Sequence, residues 1–287
     1  MLMPAKINLS IDVLNKRPDG YHSVEMIMQA IDLYDIVSVE KQKSGITLKC
    51  SHNDVPEDQR NIAWKAAEHF FIEASRKPWP YTDKGVSINI EKKIPVLAGL
   101  GGGSTDAAGV LIALNRLFNN CLDERQIFEI AKGLGADVAF FLKGGTQKSE
   151  GIGYELTSLP DFDGINLVLV KPDISVSTKW VYQNFDLNQP GERPDTDTLV
   201  NAIIQRDIPK LALGMRNVLE SATIKRHPEI SIIMEKMMEY GALGSRMSGS
   251  GPTVFGIYPD EKTAKIALSK LLKEYTQVFH NKTISRG

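Results

Sequence analysis

Pro95-Val96-Leu97-Ala98-Gly99-Leu100-Gly101-Gly102-Gly103-Ser104-Thr105-Asp106-Ala107-Ala108 places four glycines in five positions and then runs into a small-residue helical pattern. Glycines without Cβ atoms let backbone approach a ligand closely. The unpaired N–H groups of a helix's first turn, with the helix dipole, favour phosphate oxygens. The plain alternative is a tight turn before a buried helix, and the glycine density followed by Ser104-Thr105 argues against it. Two familiar phosphate loops are excluded by residue type. The chain contains no Gly-Lys dipeptide, so the lysine of a Walker loop is missing. The dinucleotide spacing fails because Gly99-x-Gly101 leads to Ser104 and Gly101-x-Gly103 leads to Asp106, where a third glycine should stand.

Outward from this loop, the chain has 287 residues, which suits about two domains. Its 34 Lys and Arg against 35 Asp and Glu leave a formal charge of −1, and 42% of residues are hydrophobic. That balance excludes a disordered chain and a polyanion-coating protein, so affinity for negative charge must be local. Only Cys50 and Cys121 occur, far apart, which points away from a disulfide framework or a Cys-based zinc site. His52, His69, His227 and His280 lack metal-ligand spacing. Lys6 and Asp12 interrupt the first apolar stretch, leaving no signal-peptide core, and no run is long enough to span a membrane. The expectation is a cytoplasmic protein with no nucleic-acid or membrane partner.

Ile7–Val13 alternates apolar and polar residues, as a half-buried strand does, and strand-like runs recur at Ile36–Val39, Ile46–Leu48 and Val86–Ile90. Ile62, Ala66, Ala67, Phe70 and Ala74 mark an amphipathic helix with Asn61 as N-cap; Gly103–Phe118 and Asp123–Lys132 are further helices. Beyond the buried strand Ile165–Val170 lies a polar loop, Asp186–Asp197. Helices then follow at Thr198–Gln205, Pro209–Ala222, Glu229–Tyr240 and Glu261–Glu274, with a strand at Val254–Ile257. No repeat is evident. Antiparallel-looking strands early and helices later give an α+β class, divided near residue 160 into segments 1–160 and 161–287.

Three ordered motifs resemble those of the GHMP small-molecule kinases. Pro4-Ala5-Lys6-Ile7-Asn8-Leu9 is similar to the first, Pro95–Ala108 to the second, and Met247-Ser248-Gly249-Ser250-Gly251-Pro252-Thr253-Val254-Phe255 to the third. The resemblance implies a ribosomal-protein-S5-domain-2-like N-terminal domain, a ferredoxin-like C-terminal domain, and ATP as phosphoryl donor, with Mg²⁺ arriving on the nucleotide and no dedicated protein metal site. Four further blocks resemble the members whose acceptor carries a cytidine diphosphate: Arg17-Pro18-Asp19-Gly20-Tyr21-His22, Leu134–Phe141, Lys171-Pro172 with Val176-Ser177-Thr178, and Asn217-Val218-Leu219-Glu220. They imply phosphorylation of the 2-hydroxyl of 4-diphosphocytidyl-2-C-methyl-D-erythritol, in the non-mevalonate isoprenoid precursor pathway, by a monomer or weak homodimer. Alternatives are a kinase for another alcohol, such as mevalonate or homoserine, and a non-catalytic RNA-binding module of S5-like fold.

By resemblance Asp137 is the general base, although an N-cap of the following turn is the ordinary reading. Lys6 projects from a strand among apolar neighbours, an awkward place for an unpaired charge; the resemblance makes it the cation at the acceptor hydroxyl. Pro95, Val96, Leu97, Ala98, Gly99, Leu100, Gly101, Gly102, Gly103, Ser104 and Thr105 would hold ATP, with Asn61 and Ile62 lining the adenine side. Tyr21 and His22 would stack on and hydrogen-bond the cytosine, with Tyr182 opposite, Thr178 nearby and Asn8 at the erythritol end. The sequence departs from the family pattern at Ala139, Gln147-Lys148 and Tyr154, the last three bearing on substrate contacts.

Overall fold

A computed structural model describes residues 1–76 and 84–286. The chain groups into two compact units, neither continuous in sequence: Met1–Ala5, Leu33–Val96 and Gly101–Lys143 form one, and Lys6–Asp32, Leu97–Leu100 and Gly144–Gly287 the other. Strands β1 (Leu2–Lys16) and β2 (His22–Gln42) contribute residues to both.

In the first unit, β2 runs antiparallel to β4 (Lys84–Glu91), with Ile36 opposite Glu91 and Gln42 opposite Gly85. β3 (Ser44–Cys50) joins β4 in parallel. Val86, Ile88 and Ile90 alternate along β4 and are buried, as period-two patterning requires. Helix α1 (Ile62–Ala74) begins where Asn61 Oδ1 accepts the Ala63 N–H. Its buried face is largely alanine, which lets α2 (Gly102–Leu117) pack against it. Helix α3 (Glu124–Leu134) starts with a reciprocal cap between Asp123 and Gln126. The glycine-bounded stretch that follows is not only a turn: it forms helix α4 (Ala136–Lys143), with Val138–Phe141 buried.

In the second unit, β7 (Asn166–Val170) is flanked by β10 (Val278–Lys282) and β9 (Val254–Tyr258), with β8 (Gly244–Met247) outside β9, all antiparallel. Helix α9 (Glu229–Glu239) precedes β8, and α10 (Glu261–Leu271) separates β9 from β10. In order of the four strands this is fourth, first, third, second, the ferredoxin-like arrangement expected. Residues 26–29 of β2 pair with β5 (Thr146–Glu150), which carries the short β6 (Glu155–Ser158).

Three local expectations need correction. The polar face of β1 is not solvated: Lys6, Asn8, Ser10 and Asp12 are all buried. Burial of three of them is tolerated because Lys6 bonds Asn8 and Asp12 accepts from Arg193, while Ser10 Oγ is buried without a hydrogen-bond partner. The expected helix Pro209–Ala222 is two, α7 (Ile208–Gly214) and α8 (Glu220–Arg226). Between them Arg216 O and Val218 N bond Ile11 of β1, so tertiary hydrogen bonds override helical periodicity. The loop from Asp186 ends at Asp195, which caps α6 (Thr196–Ile204).

Candidate active site

The glycine loop leaves the regular backbone at several points. Leu97, Gly99 and Gly101 have φ of 54°, 76° and 75°. Gly101 is the N-cap of α2, and no side chain caps that helix. Its first turn therefore begins with Gly102, Gly103 and Ser104 and keeps amide donors for another acceptor. Ile62 lies beside this turn, 3.6 Å from the position a Cβ on Gly103 would take. Asn61 is committed elsewhere, accepting from Ala63 and donating to Pro56 O. Its side chain acts as a cap, so Ile62 is the better placed of the two toward the loop.

Residues 97–100 of the loop meet the third motif. Ser248 Oγ donates to Gly99 O at 3.0 Å and Thr253 N to Ala98 O at 3.3 Å. A Cβ at Gly99 would lie 2.3 Å from Ser248 O. Lys6 N donates to Leu100 O at 3.0 Å, tying β1 to the same loop. Lys6 is 4% exposed, and its ammonium donates to Asn8 Oδ1 at 2.6 Å. Asn8 in turn faces Met26 Sδ. Asp137 is half-buried in the first turn of α4, where a carboxylate suits the positive end of the helix.

Asp19-Gly20 forms the turn anticipated, with Gly20 at φ 86° and Asp19 Oδ1 accepting the Tyr21 N–H. It leaves Tyr21 64% exposed. His22 lies against Tyr182, ring centroids 5.3 Å apart and planes at 35°, so the ring beside Tyr182 is that of His22. Burial first, then the charge of Lys16, lowers the His22 pKa. The neutral imidazole is the form that can both donate to and accept from a base. Helix α5 (Thr178–Asn184) opens with Ser177 as cap, and Thr178 Oγ1 is 2.8 Å from Ser250 Oγ of the third motif. The departures at Gln147 and Lys148 have local explanations: Gln147 bonds Gly144 O and Ser158, and Lys148 pairs with Glu25 at 2.8 Å and Glu150 at 3.2 Å.

Two sets of contacts are not marked in the sequence. In the second unit, Asn217 and Glu220, whose block the motifs single out, hold the third motif. In the first unit, Lys92 pairs with both Asp35 and Asp106, all three buried. Asp35 Oδ1 also accepts the Lys93 and Ile94 N–H groups. The cluster therefore fastens the end of β4 to the first turns of α2, directly before and after the glycine loop. Burial above all, and then the charge of Asp35, push the Asp106 carboxyl up to about 7 against the attraction of Lys92. Because this pKa lies above the unfolded value of about 3.9, the stability it confers is complete below pH 4 and is lost as pH rises toward 7. Asp106→Asn should flatten the fall in Tm between pH 5 and 7.5 by a few degrees, about the scale of 1 kcal/mol in a protein this size. An unchanged slope in thermal melts would refute the assignment.

Among the described residues no group of three or more His, Cys, Asp or Glu is arranged to hold a metal ion. Likewise no helix is long and apolar enough to cross a membrane.

Comparison with known proteins agrees with this arrangement. Residues 61–145 match the GHMP kinases N-terminal domain and residues 199–277 the GHMP kinases C-terminal domain. The chain belongs to the GHMP kinase family. It is 50% identical over 284 residues to a 4-diphosphocytidyl-2-C-methyl-D-erythritol kinase of Acetivibrio thermocellus, covering 98% of this chain and 97% of that protein. It is 46% identical over 280 residues to the kinase of the same name from Clostridium novyi, covering 98% of each. A crystal structure of 4-(cytidine 5'-diphospho)-2C-methyl-D-erythritol kinase superposes with a TM-score of 0.82 at 31% identity, covering 100% of this chain and 99% of that one. A homoserine kinase of Cytophaga hutchinsonii, at 19% identity and a TM-score of 0.76, shares the fold.

Proposed function

We propose that the chain transfers the γ-phosphoryl group of ATP to the 2-hydroxyl of 4-diphosphocytidyl-2-C-methyl-D-erythritol, a step of the non-mevalonate isoprenoid precursor pathway. The reading is carried by exposed Tyr21 beside the His22–Tyr182 ring pair, since an acceptor such as mevalonate or homoserine has no base to stack. The acceptor in the names of the relatives supports it.

In this reading Asp137 takes the proton of the 2-hydroxyl as its oxygen bonds to the γ-phosphorus, and the bond to the β-phosphate bridging oxygen breaks to release ADP. Lys6, aimed by Asn8, holds positive charge at the attacking oxygen. Pro95–Thr105 and the uncapped first turn of α2 hold the triphosphate, and Ile62, with the backbone of Asn61, borders the adenine. Tyr21, His22 and Tyr182 take the cytosine, with Thr178 beside them. Mg²⁺ brought by the nucleotide would supply charge neutralisation at the phosphates, and the buried Thr105 Oγ1, which has no hydrogen-bond partner, is a hard oxygen donor of the kind that would hold it. The division into segments 1–160 and 161–287 belongs to the proposal and is supported by the two family matches lying on either side of it. Near-neutral charge speaks against a nucleic-acid partner and the two free cysteines support a reducing, cytoplasmic setting; the proposal takes the protein as a monomer or weak homodimer without a membrane partner.

A coupled assay of ADP release with the cytidine substrate, mevalonate and homoserine in parallel tests the reading. Turnover with the cytidine substrate is expected, and turnover with only one of the other two would overturn it. In the same assay Tyr21→Ala should raise the acceptor KM about tenfold, as loss of one base stack of about 1–3 kcal/mol requires, with kcat within a few-fold. An unchanged KM removes Tyr21 from the site.

A further inference from the structure

The segment that separates α7 from α8 places side chains on the third motif. Asn217 Nδ2 donates to the carbonyl oxygens of Met247 and Gly249, both at 2.8 Å, while its Oδ1 accepts the Leu219 N–H at 3.0 Å. Glu220 Oε1 accepts the Met247 N–H at 2.9 Å. Both polar groups of Met247 are thus taken by one four-residue segment. That segment is itself anchored to β1, through Ile11 N to Arg216 O at 2.9 Å and Val218 N to Ile11 O at 3.1 Å. The gripped loop then meets the site: Ser248 Oγ bonds Gly99 O, and a Cβ on Gly249 would lie 3.2 Å from Gly99 O and 3.6 Å from Asn8 Oδ1.

We propose that Asn217 and Glu220 are positioning residues, a clasp that fixes loop 247–253 against the Gly99 turn and thereby sets the nucleotide affinity of the kinase. The inference rests on the reading that the glycine loop holds ATP. A charge-assisted acceptor on a backbone N–H is stronger than a neutral one, so the clasp is tightest with Glu220 ionised. Burial pushes the Glu220 carboxyl up to about 7, opposed by Arg246, the Met247 amide and Arg216. Arg216 is paired with Glu192, and a cavity of about 360 Å³ lined by these groups and Lys225 lies beside Glu220. The clasp therefore tightens as pH rises through neutrality.

The test is calorimetric titration of a non-hydrolysable ATP analogue into the intact protein, with acceptor KM measured alongside. Glu220→Leu is expected to weaken the analogue about tenfold, the scale of one buried hydrogen bond lost, and to leave the acceptor KM within twofold. Glu220→Gln, which keeps an oxygen for the Met247 N–H, should restore affinity to within about threefold and flatten its dependence on pH between 6 and 8 relative to the wild-type protein. Should Glu220→Leu not fold, Asn217→Ser removes both donations to the loop and is expected to weaken the analogue in the same way. Unchanged affinity in a folded Glu220→Leu or Asn217→Ser protein, or a Glu220→Gln protein as impaired as Glu220→Leu, overturns the clasp. Failure of the wild-type protein to bind the analogue would instead sink the functional reading beneath it.

Discussion

Asp137→Ala is expected to lower kcat for phosphoryl transfer by about 10³-fold, within the range for removal of a general base, while ATP affinity stays within a few-fold. The transferred group needs little covalent help from the protein; transfer depends on placing the acceptor oxygen in line and relieving it of its proton. Alanine removes the proton acceptor and leaves in place the glycine-loop bonds to Ser248, Thr253 and the Lys6 backbone. Asp137→Asn keeps the shape and the position in the first turn of α4 but accepts no proton at neutral pH, so it should be impaired to a similar degree. Single-turnover measurements separate this from slow ADP release. Wild-type turnover in either variant would remove Asp137 from the chemistry.

Gly99→Ala should have the next largest effect. The residue sits at φ 76°, and an added Cβ would lie 2.3 Å from Ser248 O and 3.0 Å from Gly251 O. Both are backbone oxygens, which cannot rotate away as a side chain does. The left-handed conformation alone costs alanine roughly 1–2 kcal/mol; the collision adds a displacement of the glycine loop or of loop 247–253. Affinity for an ATP analogue is expected to fall by about 10²-fold and Tm by several degrees, as about 3 kcal/mol of overpacking and strain implies. Gly144→Ala is the matched control, because Gly144 has φ 66° with nothing within 4 Å of its Cβ position. If the two variants lose the same amount, the contact with Ser248 carries nothing.

What could be read from sequence followed the range of the interaction. Asn61 and Asp123 announce α1 and α3 because a cap acts within three residues. The glycine loop announces itself because backbone freedom is a property of residue type. Lys92 carries no local mark because its partners Asp35 and Asp106 are 57 and 14 residues away, separations at which no local pattern marks a pair. Asn217 and Glu220 lie in a recognisable block, but their bonds to Met247, spanning 30 and 27 residues, are equally unmarked. The break between α7 and α8 was hidden because apolar spacing continued through it, while the deciding bonds went to Ile11. Alternation in β1 correctly gave a strand, yet polar residues at alternate positions signal solvent only when no partner arrives from elsewhere.

Residues 29–32 of β2 are bound by residues 281–284: Gln29 Nε2 reaches Ile284 O across 255 positions, Ile284 N donates to Ala30 O, Thr283 bridges Ile31, and Asp32 accepts from Asn281 and Lys282. A nascent chain carries the first of these segments through the synthesis of the 255 positions that separate Gln29 from Ile284. The second unit therefore completes its sheet only after translation has passed residue 284: residues 26–29 can pair with β5 much earlier, and until residue 284 is made the apolar stretch around Ala30 and Ile31 waits with an open edge.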